Sequence, residues 1–339
     1  MEIRKINDKK TWNDFLFVQH PNTFLQSWEW KLVQEADGDH VQTLGFYTQE
    51  GLVGVALLIT VQAKRGIHYL CPHGPIVKNA EDMKEALRLL VARQSGGRAH
   101  DSAICLRIAP LIVNTSGNRA LYSELGFRPS PTHVHAELTW VLDIAKAEQE
   151  ILAGMRKTTR HAIFKAQKEG VNIEISSDQH ALERFWPLYE QTKNRHGFMP
   201  FTKEFIISQT NIFNSSNNMF FAIAKYSGED VAAAICFQFG KTVFYYHGAS
   251  KKVSSSPPAA QLLQWEAIRE AKKRGATLYN FWGIAAEDEP NHPFAGITIF
   301  KKGFGGYAID YMHAQDLPLS WKYWILWVVE MIRKKKRGF

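Results

Sequence analysis

The stretch from Leu278 to Gly306 reads LYNFWGIAAEDEPNHPFAGITIFKKGFGG. It begins as a short strand, Leu278-Tyr279-Asn280-Phe281-Trp282, entered from a helix that closes at Arg274-Gly275. Glu287, Asp288, Glu289 and Pro290 are turn formers and mark a polar loop. Apolar character returns at Ile297-Thr298-Ile299-Phe300, and Lys301 and Lys302 then stand just before Gly303-Phe304-Gly305-Gly306. A lysine held against apolar walls, beside glycines that let a substrate approach the backbone, can steady a developing oxyanion. The plainer reading of Lys301 is a surface lysine at the end of a strand, with Lys302 solvated on the other face.

Outward from this stretch, Ala259 to Arg274 reads as a helix entered through Ser254-Ser255-Ser256-Pro257-Pro258. A helix entrance that binds the pyrophosphate of coenzyme A offers backbone N–H groups. Two prolines remove two of those donors, so a coenzyme A site is disfavoured. Phe220 to Ala224, Val231 to Phe239 and Thr242 to His247 read as strands, the last two as a hairpin turning at Gly240-Lys241. Leu182 to Arg195 reads as a helix ended by Gly197. Ile151 to Gly170 is a basic helix, with Ile151, Leu152, Met155, Ala162, Ile163 and Ala166 on one half. Arg156, Lys157, Arg160, His161, Lys165 and Lys168 occupy the other half, either as a solvated face or as one that contacts phosphates.

The earlier half repeats this order coarsely. Thr11 to Gln19 and Met83 to Gln94 read as helices; Gly51 to Val61, Ile67 to Leu70, Ala103 to Ile108 and Glu137 to Leu142 read as strands. Ala120 to Phe127 reads as a helix with a glycine cap, and His73, in Cys71-Pro72-His73-Gly74-Pro75, reads as a structural turn residue.

Tyr279-Asn280-Phe281-Trp282-Gly283, a loop, then Phe300-Lys301-x-x-Phe304-Gly305-Gly306 resembles the closing signature of the FemABX aminoacyltransferases. Gln26 and Trp30 resemble the family's early Gln-x-x-x-Trp element, and Lys157-Thr158-Thr159-Arg160 through Gly170-Val171 resembles a run of the family. The resemblance implies an α/β (α+β) fold of two tandem GNAT-like lobes, here 1–145 and 146–318, followed by an amphipathic basic tail, 319–339. It implies transfer of an amino acid from aminoacyl-tRNA to an amine on the stem peptide of a peptidoglycan precursor.

By the same resemblance Lys301 sits at the reacting centre and Tyr245 helps hold the acceptor. His247 falls where the best-known members carry a second tyrosine, and is expected to act as a hydrogen-bond donor or as a base near neutral pH. Arg195, in a matching Arg195-His196-Gly197 turn, and Phe304 complete the candidate substrate-binding set; Arg156, Lys157 and Arg160 are candidate tRNA contacts. The chain departs from the family pattern at Phe201 (an arginine used for precursor phosphates), Phe205 (a tyrosine), Ala109 (an acidic residue) and Leu32 (a lysine, with Lys31 beside it). These departures count against a UDP-linked acceptor and favour a lipid-linked one.

Composition fits this frame. A chain of 339 residues suits two domains, and its net charge of +8 favours RNA, phosphorylated precursors or an acidic membrane surface. Cys71, Cys105 and Cys236 lie far apart, as expected of reduced thiols in a cytoplasmic protein, and Met1-Glu2-Ile3-Arg4-Lys5 is unlike a secretory leader. Trp321 to Ile332 is apolar and aromatic and is followed by Arg333-Lys334-Lys335-Lys336-Arg337, which suits either peripheral contact with an anionic leaflet or docking on the first lobe. Aminoacyl transfer is downhill and needs positioning and oxyanion stabilisation rather than a nucleophile; no G-x-S-x-G element, metal cluster or cofactor is expected. Two alternatives remain open: a GNAT-like N-acyltransferase with another acyl donor, and a non-catalytic module that binds RNA or membrane.

Overall fold

The structure, a computed structural model, describes residues 1–63, 66–96, 103–196, 201–251, 257–288, 292 and 294–337. The expected stop at Gly197, the Ser254–Ser256 entrance and the Glu289-Pro290 turn lie outside those residues.

The chain forms two compact units, residues 1–137 with 309–339, and residues 138–308. The first begins with β1 (Glu2–Lys5), α1 (Lys9–Phe17), a 3₁₀ turn (Phe24–Gln26) and α2 (Trp28–Ala36). It continues through β2 (His40–Thr48), β3 (Gly51–Ala63), β4 (Gly66–Pro72), β5 (Ile76–Val77), α3 (Ala80–Gly96), β6 (Ala103–Ala109), α4 (Ser116–Glu124) and β7 (Arg128–Pro129). Val53 and Val55 to Ile59 of β3 are all buried, the near-continuous apolar run of a strand covered on both faces. Gln26 is fully buried: its Oε1 accepts from Leu57 N at 2.9 Å and its Nε2 donates to Pro72 O at 2.5 Å. Trp30 meets Phe24 edge-on at 5.5 Å. The Gln-x-x-x-Trp element therefore pins the 3₁₀ turn and α2 to the sheet. His73 is likewise structural, buried at φ 52° with Nδ1 bonded to Thr23 Oγ1 at 2.9 Å.

The second unit comprises β8 (Leu138–Asp143), α5 (Glu148–Gly154), α6 (Lys157–Lys168), β9 (Asn172–Ser176), α7 (His180–His196), α8 (Lys203–Ser215), β10 (Met219–Tyr226), β11 (Glu229–Phe239), β12 (Thr242–Ser250), α9 (Ala259–Lys273), β13 (Leu278–Gly283), α10 (Ala295–Lys302) and β14 (Tyr307–Asp310), on which the chain leaves. Its sheet runs β14-β8-β13-β12-β11-β10-β9. The strand expected to close the first lobe, 137–142, is β8 and pairs with β13 instead. The long helix expected over 151–170 is broken: Met155, buried in the core, is extended (ψ 156°) between α5 and α6. Ile297–Phe300 is helical, so Lys301 lies in the last turn of α10 and not on a strand end.

The last segment, β15 (Gln315–Pro318) and α11 (Tyr323–Arg337), returns to the first unit, where the sheet order is β1-β2-β3-β4-β6-β15-β7. The expected boundaries at 145 and 318 are thus corrected, because strands distant in sequence complete each sheet. A buried network locks the returning segment. Arg107 of β6 donates to both Asp316 oxygens at 2.7 and 2.8 Å and to Glu330 of α11 at 2.8 Å, and the Tyr323 hydroxyl donates to Asp316 at 3.2 Å.

Candidate active site

The second sheet opens between β12 and β13. β12 and β13 pair in parallel only over Thr242–Phe244 and Leu278–Asn280. Beyond Asn280, whose side chain accepts from Trp282 N at 2.7 Å, Trp282 takes φ 68°, an uncommon conformation for a bulky residue. The chain then rejoins β8 at Gly283. This detour leaves the Gly283 carbonyl to accept from Lys301 Nζ at 2.5 Å. α10 is held there by a second tie, Thr298 Oγ1 accepting from Ala285 N at 2.8 Å. Lys301 is 5% exposed, and burial pushes its ammonium down to about 7. An ammonium has three N–H donors, so two remain beyond the bond to Gly283. This is a buried cation donor whose charge is labile near neutrality.

The glycines after it serve packing. A Cβ on Gly305 (φ 80°) would lie 2.8 Å from Gly154 O, and one on Gly306 (φ 96°) 2.1 Å from Val141 O. Trp140 Nε1 donates to Gly305 O at 2.7 Å, and Arg156 N donates to Gly303 O at 2.9 Å. The motif's glycines bring its own backbone against β8 and α5, correcting the expectation that they admit substrate. Phe304 is fully buried against Phe281 (5.3 Å between rings), which removes it from the substrate-contacting set. Lys302 is partly buried and pairs with Glu287 at 2.6 Å.

An aromatic surface runs on from Trp282. Its ring meets Tyr246 at 5.2 Å; Phe201 lies 6.4 Å from Tyr246 and 5.6 Å from His247, and stacks on Phe205 at 5.4 Å. Phe201 also lines a cavity of about 300 Å³ with Trp186, Tyr189, Glu190, Lys193, Lys203 and Glu204. The sequence reading named His247 and passed over Tyr246. The cause is a β-bulge: Ile235 pairs with His247 but Cys236 with Tyr245. Tyr246 and His247 therefore share the side occupied by Phe201 and Phe237, whereas Tyr245 packs with the core around Cys236 and its hydroxyl lies over Gly248. Tyr245 and His247 do not form one surface, and the doubled tyrosine pair was the signal for the missed residue.

His247 is 4% exposed, its Nε2 bonded to Gln209 Oε1 at 2.8 Å, and burial pushes its imidazole down to about 3. It is neutral across the physiological range. Burial favours the neutral imidazole, which suits the hydrogen-bonding role of the two expected and counts against a base titrating near pH 7. Arg195, on α7, is exposed and donates to Ser250 O at 3.0 Å and Ser250 Oγ at 3.2 Å, tying α7 to the end of β12. Arg156 and Lys157 are exposed at the start of α6, but Arg160 points back at α5 and donates to Ala153 O at 3.1 Å and to Met155 O. Arg160 is a cap for α5 carbonyls.

The described residues include one group with metal-ligand chemistry, His133, Glu137 and His313. Both imidazole Nδ1 atoms are bonded to the Glu137 carboxylate, at 2.7 and 2.8 Å, and His313 Nε2 donates to Ser130 O at 2.6 Å, which makes the group a hydrogen-bonded network. The three cysteine thiols are buried and pushed up to about 12, so none is poised as a nucleophile.

Comparison with known proteins agrees with this architecture. The lipid II:glycine glycyltransferase of Staphylococcus aureus is 21% identical, the alignment covering 91% of each chain. The crystal structure of FemX superposes with a TM-score of 0.84 at 17% identity, covering 97% of this chain and 100% of that one. A tandem GNAT protein from the clavulanic acid biosynthesis pathway superposes with a TM-score of 0.56 at 13% identity, covering 94% and 98%. The fold is accordingly a pair of GNAT-like α/β units carrying a C-terminal helix. The FemAB family profile matches residues 8–116, 126–229 and 222–330, and the chain belongs to the FemAB family.

Proposed function

We propose that this protein is an acyltransferase that adds an amino acid to an amine on the stem peptide of a peptidoglycan precursor, building an interpeptide bridge. The observation that carries this reading is the buried Lys301 ammonium, held at the Gly283 carbonyl where β12 and β13 part, in a chain of the FemAB family. The donor is an aminoacyl-tRNA. The acceptor amine, having shed its proton, attacks the ester carbonyl; a C–N bond forms, the ester C–O bond breaks, and the tRNA hydroxyl leaves with a proton. Lys301 donates to the oxyanion in between. Tyr246, Trp282 and neutral His247 line the approach of the acceptor; Tyr245 supports them from the core side of the sheet and Arg195 from α7. Arg156 and Lys157 at the start of α6 contact tRNA phosphates.

The acceptor is the lipid-linked precursor. Where the family pattern has an arginine for phosphates, this chain has a stacked pair of phenylalanines, Phe201 and Phe205, and the Staphylococcus aureus relative is named for lipid II. The protein works in the cytoplasm at the inner face of the membrane.

The test is a turnover assay offering labelled aminoacyl-tRNAs together with UDP-linked and lipid-linked muropeptides, read by mass spectrometry. The expected result is one added amino acid on the lipid-linked form. No transfer from any charged tRNA, alongside a working control enzyme, overturns the reading. Protection of the protein against heat by acyl-CoA would then favour an N-acyltransferase with another donor, while tRNA or vesicle binding without any turnover would favour a binding module.

A further inference from the structure

α11 is amphipathic in an unusual sense, because both of its faces are apolar. Tyr323, Leu326 and Trp327 pack on Ile104 and Cys105 of β6. On the other side Trp324 (46% exposed), Ile325 (55%), Val328 (49%), Met331 (40%) and Ile332 (52%) stand in solvent, preceded by Trp321 (70%). At about 100° per residue these positions fall within roughly one third of the helix circumference. A contiguous apolar strip of this kind marks an interaction surface.

The charges identify its partner. The one acidic residue of α11, Glu330, faces inward and is consumed by Arg107 at 2.8 Å. The outward side carries no acid. Arg333 and Lys335 are exposed beyond Ile332, and the Arg128 guanidinium lies 4.5 Å over the Trp324 ring. Tryptophans at the rim, aliphatics in the middle and cations at one end match an anionic lipid surface. A second copy of the same basic end would instead be repelled. The helix is about 22 Å long, and no helix among the described residues is long and apolar enough to cross a membrane.

We infer that α11 lies flat on an anionic phospholipid surface, with Trp321, Trp324, Ile325, Val328 and Ile332 entering the acyl boundary and Lys335, on the same side one turn on, at the headgroups. The inference stands on this helix and not on the reading of the reaction, and its test uses no substrate. Full-length protein is floated with phosphatidylcholine vesicles containing or lacking phosphatidylglycerol. It should rise with the anionic vesicles only. Ile325→Asp with Val328→Asp should weaken partitioning about tenfold or more, and Lys335→Gln about fivefold. Melting temperatures should change little, since these side chains are about half exposed. Should the paired variant melt early, Ile332→Asp repeats the test on the same face. Absence of flotation, or flotation indifferent to these substitutions, overturns the inference. A concentration-dependent dimer abolished by Ile325→Asp, without flotation, overturns it in favour of self-association.

Discussion

At Lys301 the burial of a single ammonium costs stability. Its folded pKa of about 7 lies below the ordinary 10.5 because burial disfavours the charge. Below pH 7 both folded and unfolded chains carry the proton, and the full burial penalty is felt. Between 7 and 10.5 the unfolded chain binds more protons than the folded one, so stability rises with pH. Lys301→Met should therefore melt above the parent protein at pH 6, with the gap closing as pH rises towards 10, measured by calorimetry. The catalytic sign is opposite. Oxyanion donation needs the proton while the acceptor amine must shed one, so the rate should stop rising with pH above about 7, and that of Lys301→Arg, which keeps its charge, should go on rising. Lys301→Ala should lower kcat about 10² to 10³-fold, the usual cost of removing an oxyanion donor, with a smaller change in KM. The glycines of the same motif act through sterics alone. Gly306→Ala would set a Cβ 2.1 Å from Val141 O at φ 96° and should cost more than about 3 kcal/mol of folding stability in denaturant titration.

At the scale of elements, α6 separates the basic residues the sequence had grouped. Arg156→Glu with Lys157→Glu should weaken tRNA binding and make it less sensitive to salt, lowering the salt slope by roughly one for each phosphate no longer neutralised. Arg160→Ala should instead lower the melting temperature, because Arg160 caps α5. Periodicity reads α3, α9 and the β10–β11–β12 meander directly, since each has one apolar face or a clean hairpin. It does not read α8, where Ile206, Ile207, Ile212 and Phe213 have strand preferences that the Thr202 cap and the packing of Phe213 on Phe237 (4.5 Å) override. α10 is misread for the same reason: Ile297-Thr298-Ile299 favours a strand, but Thr298 and Lys301, three apart, both reach back to the segment around Gly283 and only a helix aims them together. The bulge at Tyr246 leaves no trace in composition, and it decides which aromatic shares the side of Phe201. Lys301 is legible as a candidate from its motif, its surroundings much less so.

At the scale of the whole chain, each sheet borrows its closure from distant sequence, which a pass along the chain cannot see. The first unit depends on β15 and α11 through the buried charges of Arg107, Asp316 and Glu330. Removing one partner from such a network strands the others, so Asp316→Asn should cost on the order of 3 kcal/mol, and a chain ending at residue 308 should fail to form a protected first sheet by hydrogen exchange. A ribosome makes this dependence temporal. Residues 1–137 emerge first, yet the strand that sits between β6 and β7 is translated after the whole of the second unit. At elongation rates of roughly 5 to 20 residues per second that is a wait on the order of 10 to 40 s. During it β6 presents an unpaired edge, including Arg107 without its carboxylates, to whatever chaperone or neighbouring nascent chain is at hand. The half that is synthesised first is the half that finishes last.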